Sequence, residues 1–190
     1  EPASLGSPVA ALKQGIATIY QELDLVDWLS VAENIFLGRL PLRAGRIDRR
    51  AMAAEASAIL GALGVQVDPS RPVRGLSMAV QQGIEICKAL LRKPRYVIFD
   101  EPTASLGEAD AELIFEQVRL LKQNGTAIIY VSHRLEEVVR VCSTYTVLRN
   151  GAKVAEGAIA DVNIDSIITA MAGRPVDTIF PPRSGTPGPV

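Results

Sequence analysis

Four short stretches of the chain hold residues that could act on a charged substrate: Gln21-Glu22, Ser77, Asp100-Glu101 and His133. Asp100-Glu101 closes the apolar run Tyr96-Val97-Ile98-Phe99, and strand ends of open parallel sheets are where ligand sites form. Read as chemistry, Asp100 stands near a magnesium ion on a nucleotide, and Glu101 beside it orients and polarises an attacking water. Phosphoryl transfer needs that charge compensation and positioning. Read as structure alone, the two acids form a turn that faces water and begins the next helix. His133, the only histidine, follows the run Ala127-Ile128-Ile129-Tyr130-Val131, and Gln21 follows Ile16-Ala17-Thr18-Ile19-Tyr20. By the same logic all three polar positions emerge at one edge of a sheet. Ser77 opens a helix, where unbonded N–H groups and the positive dipole end can receive a phosphate. Simple N-capping is its other role, and both can hold at once.

The elements that must position these residues are legible as a change of period. The apolar run from Ile16 reads as a buried strand, preceded by a stretch punctuated by Pro, Gly and Ser over residues 1–14. Ser30-Val31-Ala32-Glu33 is a capping box opening a short helix with Ile35 and Phe36 that stops near Gly38. Asp48 caps a second helix, with Met52, Ala56, Ile59 and Leu63 at helical spacing before Gly64. A third runs from Ser77 with Val80, Ile84, Cys87 and Leu91 on one face and is over by Pro94. Residues 22–92 are therefore mainly helical. Strand–helix–strand–helix follows: Tyr96 to Phe99, a helix with Leu113, Phe115, Val118 and Leu121, then Ala127 to Val131, then a helix with Leu135, Val138, Val139 and Cys142. The continuous apolar runs predict a parallel sheet covered on both faces. Asn150-Gly151 between Tyr145–Arg149 and Lys153–Glu156 predicts a two-residue hairpin turn, read as an antiparallel edge closing the sheet. Five prolines from Pro175 onward make residues 174–190 a linker.

Composition narrows the classes. With 48% hydrophobic and 22% charged residues, the chain of 190 residues is neither disordered nor collagen-like, and it is long enough for one domain or a piece of a larger one. Twenty Lys+Arg against 21 Asp+Glu, with no long basic run, leave nucleic acid an unexpected partner. Two cysteines, Cys87 and Cys142, make neither a disulfide framework nor a zinc site and read as buried thiols of a cytosolic protein. No apolar run approaches the ~20 residues of a membrane span. The N-terminus has neither an initiator Met nor a signal peptide, so the chain reads as a piece of a longer soluble protein.

In combination the residues become recognisable. Gln21-Glu22, Leu76-Ser77, the run Tyr-Val-Ile-Phe-Asp-Glu-Pro-Thr from Tyr96 to Thr103, and Val131-Ser132-His133 resemble, in that order, the nucleotide-binding domain of an ABC transporter. They match its Q-loop, signature, Walker B with D-loop, and switch histidine. The stretches Ile19 to Leu23, Ala32 to Arg39 and Met171 to Arg174 resemble more narrowly the first ATPase cassette of bacterial importers for ribose, xylose and galactose. The similarity runs from about residue 8 to 182, and the spacings from Gln21 to Ser77 to Asp100 to His133 are 56, 23 and 33 residues.

The resemblance implies an α/β fold: a P-loop NTPase-like parallel sheet, truncated at its N-terminus, with an inserted helical ABC subdomain and a C-terminal antiparallel hairpin. Residues 1–21 are then a core strand and Q-loop, 22–92 the helical subdomain, 93–173 the core with Walker B, D-loop and switch histidine, and 174–190 the linker. It implies ATP and Mg2+ as cofactors, with Glu101 as general base and His133 on the γ-phosphate. Asp100 holds magnesium, directly or through water, and Gln21 contacts magnesium and the attacking water. Ser77 and the following amides bind the γ-phosphate of ATP held by a second cassette in a head-to-tail sandwich. The implied function is to energise sugar import through transmembrane permease subunits at the cytoplasmic face of a bacterial inner membrane, with a periplasmic sugar-binding protein as an indirect partner. The segment Asp24 to Asn34 then lies near the permease.

Three departures stand out. No G-x-x-x-x-G-K-[ST] phosphate cradle occurs in the 190 residues, so the chain alone is expected to bind and hydrolyse ATP poorly. The signature reads Leu76-Ser77-Met78-Ala79-Val80 instead of LSGGQ, which removes two glycines from a close approach to phosphate. The D-loop reads Ala104-Ser105-Leu106-Gly107, ending in Gly. These departures favour, as an alternative, a catalytically weak cassette that binds nucleotide or stabilises the dimer. A soluble ABC protein of translation or DNA repair is a further alternative, although neither basic insertions nor long coiled-coil arms appear between Gln21 and Pro94.

Overall fold

Three of the apolar runs become parallel strands ending at one edge. The computed structural model describes residues 6–161 and 163–173, and the chain divides into two compact units between His133 and Arg134. The first unit contains, in order, α1 (Pro8–Lys13), β1 (Ile16–Ile19), α2 (Val31–Ile35), β2 (Leu42–Arg43), β3 (Arg46–Ile47), α3 (Arg49–Ala62), α4 (Met78–Leu90), β4 (Tyr96–Asp100), α5 (Glu108–Gln123) and β5 (Ala127–Val131). The second contains α6 (Leu135–Val141), β6 (Thr144–Arg149), β7 (Ala152–Ala158), a 3-10 turn (Ile159–Asp161) and α7 (Ile164–Ala172). The 174–190 segment read as a linker lies outside the described residues.

The sheet of the first unit has the order β1-β4-β5, parallel throughout. Ile19 pairs with Phe99, Phe99 with Tyr130 and Asp100 with Val131. Phe99 and Tyr130 also stack, centroids 6.2 Å apart, a cross-strand pair that opposes slippage of the register. Val97 and Phe99 of β4 are fully buried, and α4 and α5 carry much of the covering core through Ile84, Ile86, Cys87, Ile114 and Val118. Gly83 of α4 is where that packing is tightest, since a Cβ there would lie 2.8 Å from Val65.

The caps predicted from sequence are present. Ser30 accepts from the Glu33 amide while the Glu33 carboxylate accepts from the Ser30 amide, a complete capping box on α2. Asp48 caps α3 and Ser77 caps α4. The turn at Asn150-Gly151 has both residues at positive φ, the hairpin geometry expected of that dipeptide.

Other expectations fail for identifiable reasons. The β6–β7 hairpin forms its own two-stranded sheet, not an edge of the parallel one. β5 is not covered on both faces: Ile129 and Val131 are 52% and 44% exposed. An apolar run records that a strand can be buried, not which of its faces a neighbour reaches. Leu113 of α5 is exposed and Ile114 carries the buried face, while Val139 of α6 is exposed and Val141 buried. Cys87 is fully buried, its thiol pushed up to about 12 by desolvation, but Cys142 is only half-buried. Several elements escaped notice, α1, α7 and the β2–β3 hairpin among them. In α1, Ser7 caps a helix whose first residue is Pro8, but six residues give no readable period. In α7, Gly173 ends the helix in the left-handed conformation. In the β2–β3 hairpin the turn is Ala44-Gly45, with Ala44 at φ +50 where Asn or Gly is usual.

The capping box gives a pH test. Hydrogen bonds from the Ser30 amide, then its hydroxyl, hold the Glu33 carboxyl below its ordinary value of 4.5. A depressed folded value means the stabilisation is present above 4.5 and is lost as pH falls through the lower folded value. Ser30→Ala is expected to lower the urea midpoint by the equivalent of about 1 kcal/mol at neutral pH. The deficit should shrink in unfolding curves recorded at successively lower pH below 4.5.

Candidate functional site

Parallel pairing delivers the polar strand ends to a common edge. Glu101 directly follows β4, His133 lies two residues beyond β5, and Glu101 Oε1 stands 2.9 Å from His133 Nδ1. The carboxylate is 29% exposed and the imidazole 65%, so the pair is open to a ligand from solvent. One nitrogen of the imidazole is engaged by Glu101, which leaves Nε2 as the atom available to a substrate.

The backbone explains how Glu101 comes to be aimed there. Its N–H donates to the Val131 carbonyl at 2.9 Å, extending the β4–β5 ladder past the last paired residues. Its φ is +47, the left-handed region that a side chain with a Cβ enters at a cost of roughly 1–2 kcal/mol. Pro102 and Thr103 behind it are buried, so the turn is fixed by packing on one side and by the ladder on the other. Non-glycine residues held in such conformations cluster at functional sites.

Asp100, the last residue of β4, is half-buried, and Gln21 lies exposed two residues past the end of β1. The register Ile19 to Phe99 to Tyr130 puts Gln21, Asp100-Glu101 and His133 at one sheet edge, as the sequence led one to expect. Ser77 belongs to a different feature. It is exposed at the start of the 13-residue helix α4, its hydroxyl accepting from the Val80 amide at 3.4 Å. Gln81 Nε2 donates to the Leu76 carbonyl at 2.8 Å and braces that helix start. Among the described residues no hydrogen bond joins Ser77 to Glu101 or His133. The amides of Met78 and Ala79 stay available there, as at any helix N-terminus.

Sequence reading passed over the side chains that hold the segment following Gln21. Asn34, fully buried, accepts from the Val26 amide at 2.7 Å and donates to the carbonyls of Val26, Leu29 and Ser30. Glu85 and Lys88, on a stretch of α4 otherwise apolar, reach the main chain of Asp24. Two charges set three apart among Ile84, Ile86, Cys87 and Leu90 were the available signal.

Among the described residues, no three His, Cys, Asp or Glu side chains gather into a group that could hold a metal ion by themselves. Asp100 and Gln21 each carry a side-chain oxygen, half-buried at the first and exposed at the second.

Comparison with known proteins bears on family and fold. The family model described as ABC transporter matches residues 4–104. The arabinose import ATP-binding protein AraG 2 of Burkholderia thailandensis is 48% identical over 186 residues, 97% of this chain and 35% of that protein. The ribose import ATP-binding protein RbsA of Chromobacterium violaceum is 48% identical over 189 residues, 99% of this chain and 38% of that protein. The chain thus spans a little over a third of the length of these curated relatives. Among solved structures, the ADP conformation of MJ1267, an ATP-binding cassette of an ABC transporter, superposes with a TM-score of 0.71 at 24% identity. It covers 88% of this chain and 72% of that one, a likeness of fold.

The strain at Glu101 is testable apart from any activity. Glu101→Gly is expected to raise the unfolding free energy by about 0.5–1 kcal/mol, the left-handed penalty relieved less the entropy that glycine adds to the unfolded chain. Thermal unfolding that puts the glycine variant below wild type would show that the Glu101–His133 contact, and not the backbone, dominates the energetics of this turn.

Proposed function

The chain belongs to the ABC transporter family, and on that premise we propose that it is part of an ATP-hydrolysing subunit that energises sugar import through a membrane permease. The observation that carries the chemistry is the Glu101–His133 pair at the ends of adjacent parallel strands. Sugar import is supported by the printed activities of its relatives, arabinose and ribose import. Residues 1–21 and 93–173 act as core and 22–92 as helical subdomain.

In this reading Glu101 accepts the proton of the attacking water as the new bond to the γ-phosphorus forms and the bond to ADP breaks. His133 holds the γ-phosphate through Nε2, with Glu101 fixing the ring. Asp100 and Gln21 would hold Mg2+, which supplies charge compensation on the phosphates when bound. Ser77, with the Met78 and Ala79 amides, receives the γ-phosphate of a nucleotide held by a second cassette. The remaining partners are permease subunits and, through them, a sugar-binding protein, and the place of work is the cytoplasmic face of the membrane. Among the described residues no helix is long and apolar enough to cross a membrane, which accords with a subunit bound peripherally. The 190 residues contain no G-x-x-x-x-G-K-[ST], so by themselves they hydrolyse ATP poorly.

A second reading rests on one observation, the Met78-Ala79-Val80 signature without glycine: a cassette that holds nucleotide and partner but turns over slowly. Glu101→Gln in the full-length protein separates the two. A working base predicts a fall in hydrolysis of about 10²–10⁴-fold with ATP still bound. An unchanged rate, measured by phosphate release with and without magnesium, would favour the binding reading.

A further inference from the structure

Asp24 lies three residues past Gln21, and side chains of α4 hold both of its main-chain polar groups. Its N–H donates to Glu85 Oε1 at 3.0 Å, and its carbonyl accepts from Lys88 Nζ at 2.7 Å. Lys88 Nζ also stands 3.2 Å from Glu85 Oε1, while the Asp24 side chain itself is 98% exposed. The Asp24 carboxylate also lies 3.8 Å from Lys88 Nζ, but the shorter contacts are to the backbone, and these make the grip.

The chain beyond Asp24 is fastened to the same body. Asn34 takes both main-chain groups of Val26, and the carbonyls of Asp27 and Leu29 accept from the amides of Arg74 and Val73. The Val31 and Ala32 amides donate to Arg71 and Pro69. Gln21, Glu22 and Leu23, by contrast, make no hydrogen bond among the described residues. Glu85 begins about 12 Å along α4 from Ser77, eight residues at 1.5 Å each.

We propose that Glu85 and Lys88 are positioning residues that make the segment from Asp24 onward travel with α4, and so with Ser77. The proposal rests on the functional reading above only for its consequence, that a displacement of this segment reaches the phosphate-binding helix start. Fold stability alone does not account for the pair. Burial pushes the Glu85 carboxyl above its usual range against the pull of Lys88, and an apolar side chain would cover that stretch of helix without this cost.

The test uses the full-length protein with spin labels on cysteines introduced at the exposed positions Asp24 and Met78, in a Cys142→Ser background. Wild-type Glu85 and Lys88 should give one narrow interlabel distance. Glu85→Leu and Lys88→Met should broaden it, and Glu85→Gln and Lys88→Arg should restore it, since each still reaches the Asp24 main chain. In unlabelled protein the first two variants should lower kcat for ATP about fivefold with KM within twofold, and the conservative pair should recover the rate. An interlabel distance that stays narrow in Glu85→Leu and Lys88→Met overturns the proposal. So does broadening at an unchanged kcat, which would make the contact structural only. A wild-type protein without ATPase activity removes the functional reading, and the interlabel distances then decide by themselves whether Asp24 travels with α4.

Discussion

Parallel pairing between β4 and β5 is the constraint on which the site depends. Two parallel strands end at the same edge, so residues 32 apart in sequence, Glu101 and His133, come within a hydrogen bond of each other. Antiparallel pairing of the same runs would separate these ends by the length of a five-residue strand, roughly 16 Å. The stacked Phe99 and Tyr130 resist a slip of one residue between the strands, which would turn the side chains of the slipped strand to the opposite face. The last rung is made by the Glu101 amide itself, so the residue that would do chemistry is also the one that terminates the ladder.

Much of this was legible because strand ends are written locally. An apolar run followed by Asp-Glu or Ser-His states both the strand and its exit, and Ser30, Asp48 and Ser77 announce their helices through capping chemistry. What was not legible depends on neighbours distant in sequence. Whether Ile129 is covered, or Leu113 or Ile114 faces the core, is decided by elements that no local window contains. The β6–β7 hairpin shows the same limit: its turn was read correctly from Asn150-Gly151, its place in a separate sheet was not. The left-handed φ of Glu101 has no sequence signal at all, because it is imposed by the bond to Val131 and by buried Pro102 and Thr103.

The path of the chain between Asp24 and Ser30 is set by polar groups. Asn34 has no solvent exposure, yet its amide is satisfied by four main-chain bonds, and they define the path of residues 26–30. A buried amide missing one of those bonds would cost about 1–3 kcal/mol, so the loop conformation and the side chain specify one another. The same logic operates at Asp24, where two charged side chains replace the amide. An apolar core alone would leave this segment free to take several paths, since dispersion and burial carry little directional information.

Among the described residues, four non-glycine residues have positive φ: Ala44, Lys93, Glu101 and Asn150. Three have ordinary explanations in the punctuation of the chain. Asn150 and Ala44 sit in two-residue hairpin turns, and Lys93 follows the end of α4. Glu101 alone stands at the mouth of a parallel strand with its side chain on an imidazole. A glycine would relax this backbone but would remove the carboxylate. The strain persists because β4, with Val97 and Phe99 wholly buried, is anchored firmly enough to hold its last rung against it. Stability concentrated in the strand is thus what permits an unfavourable conformation at its end, and that conformation places the carboxylate on His133.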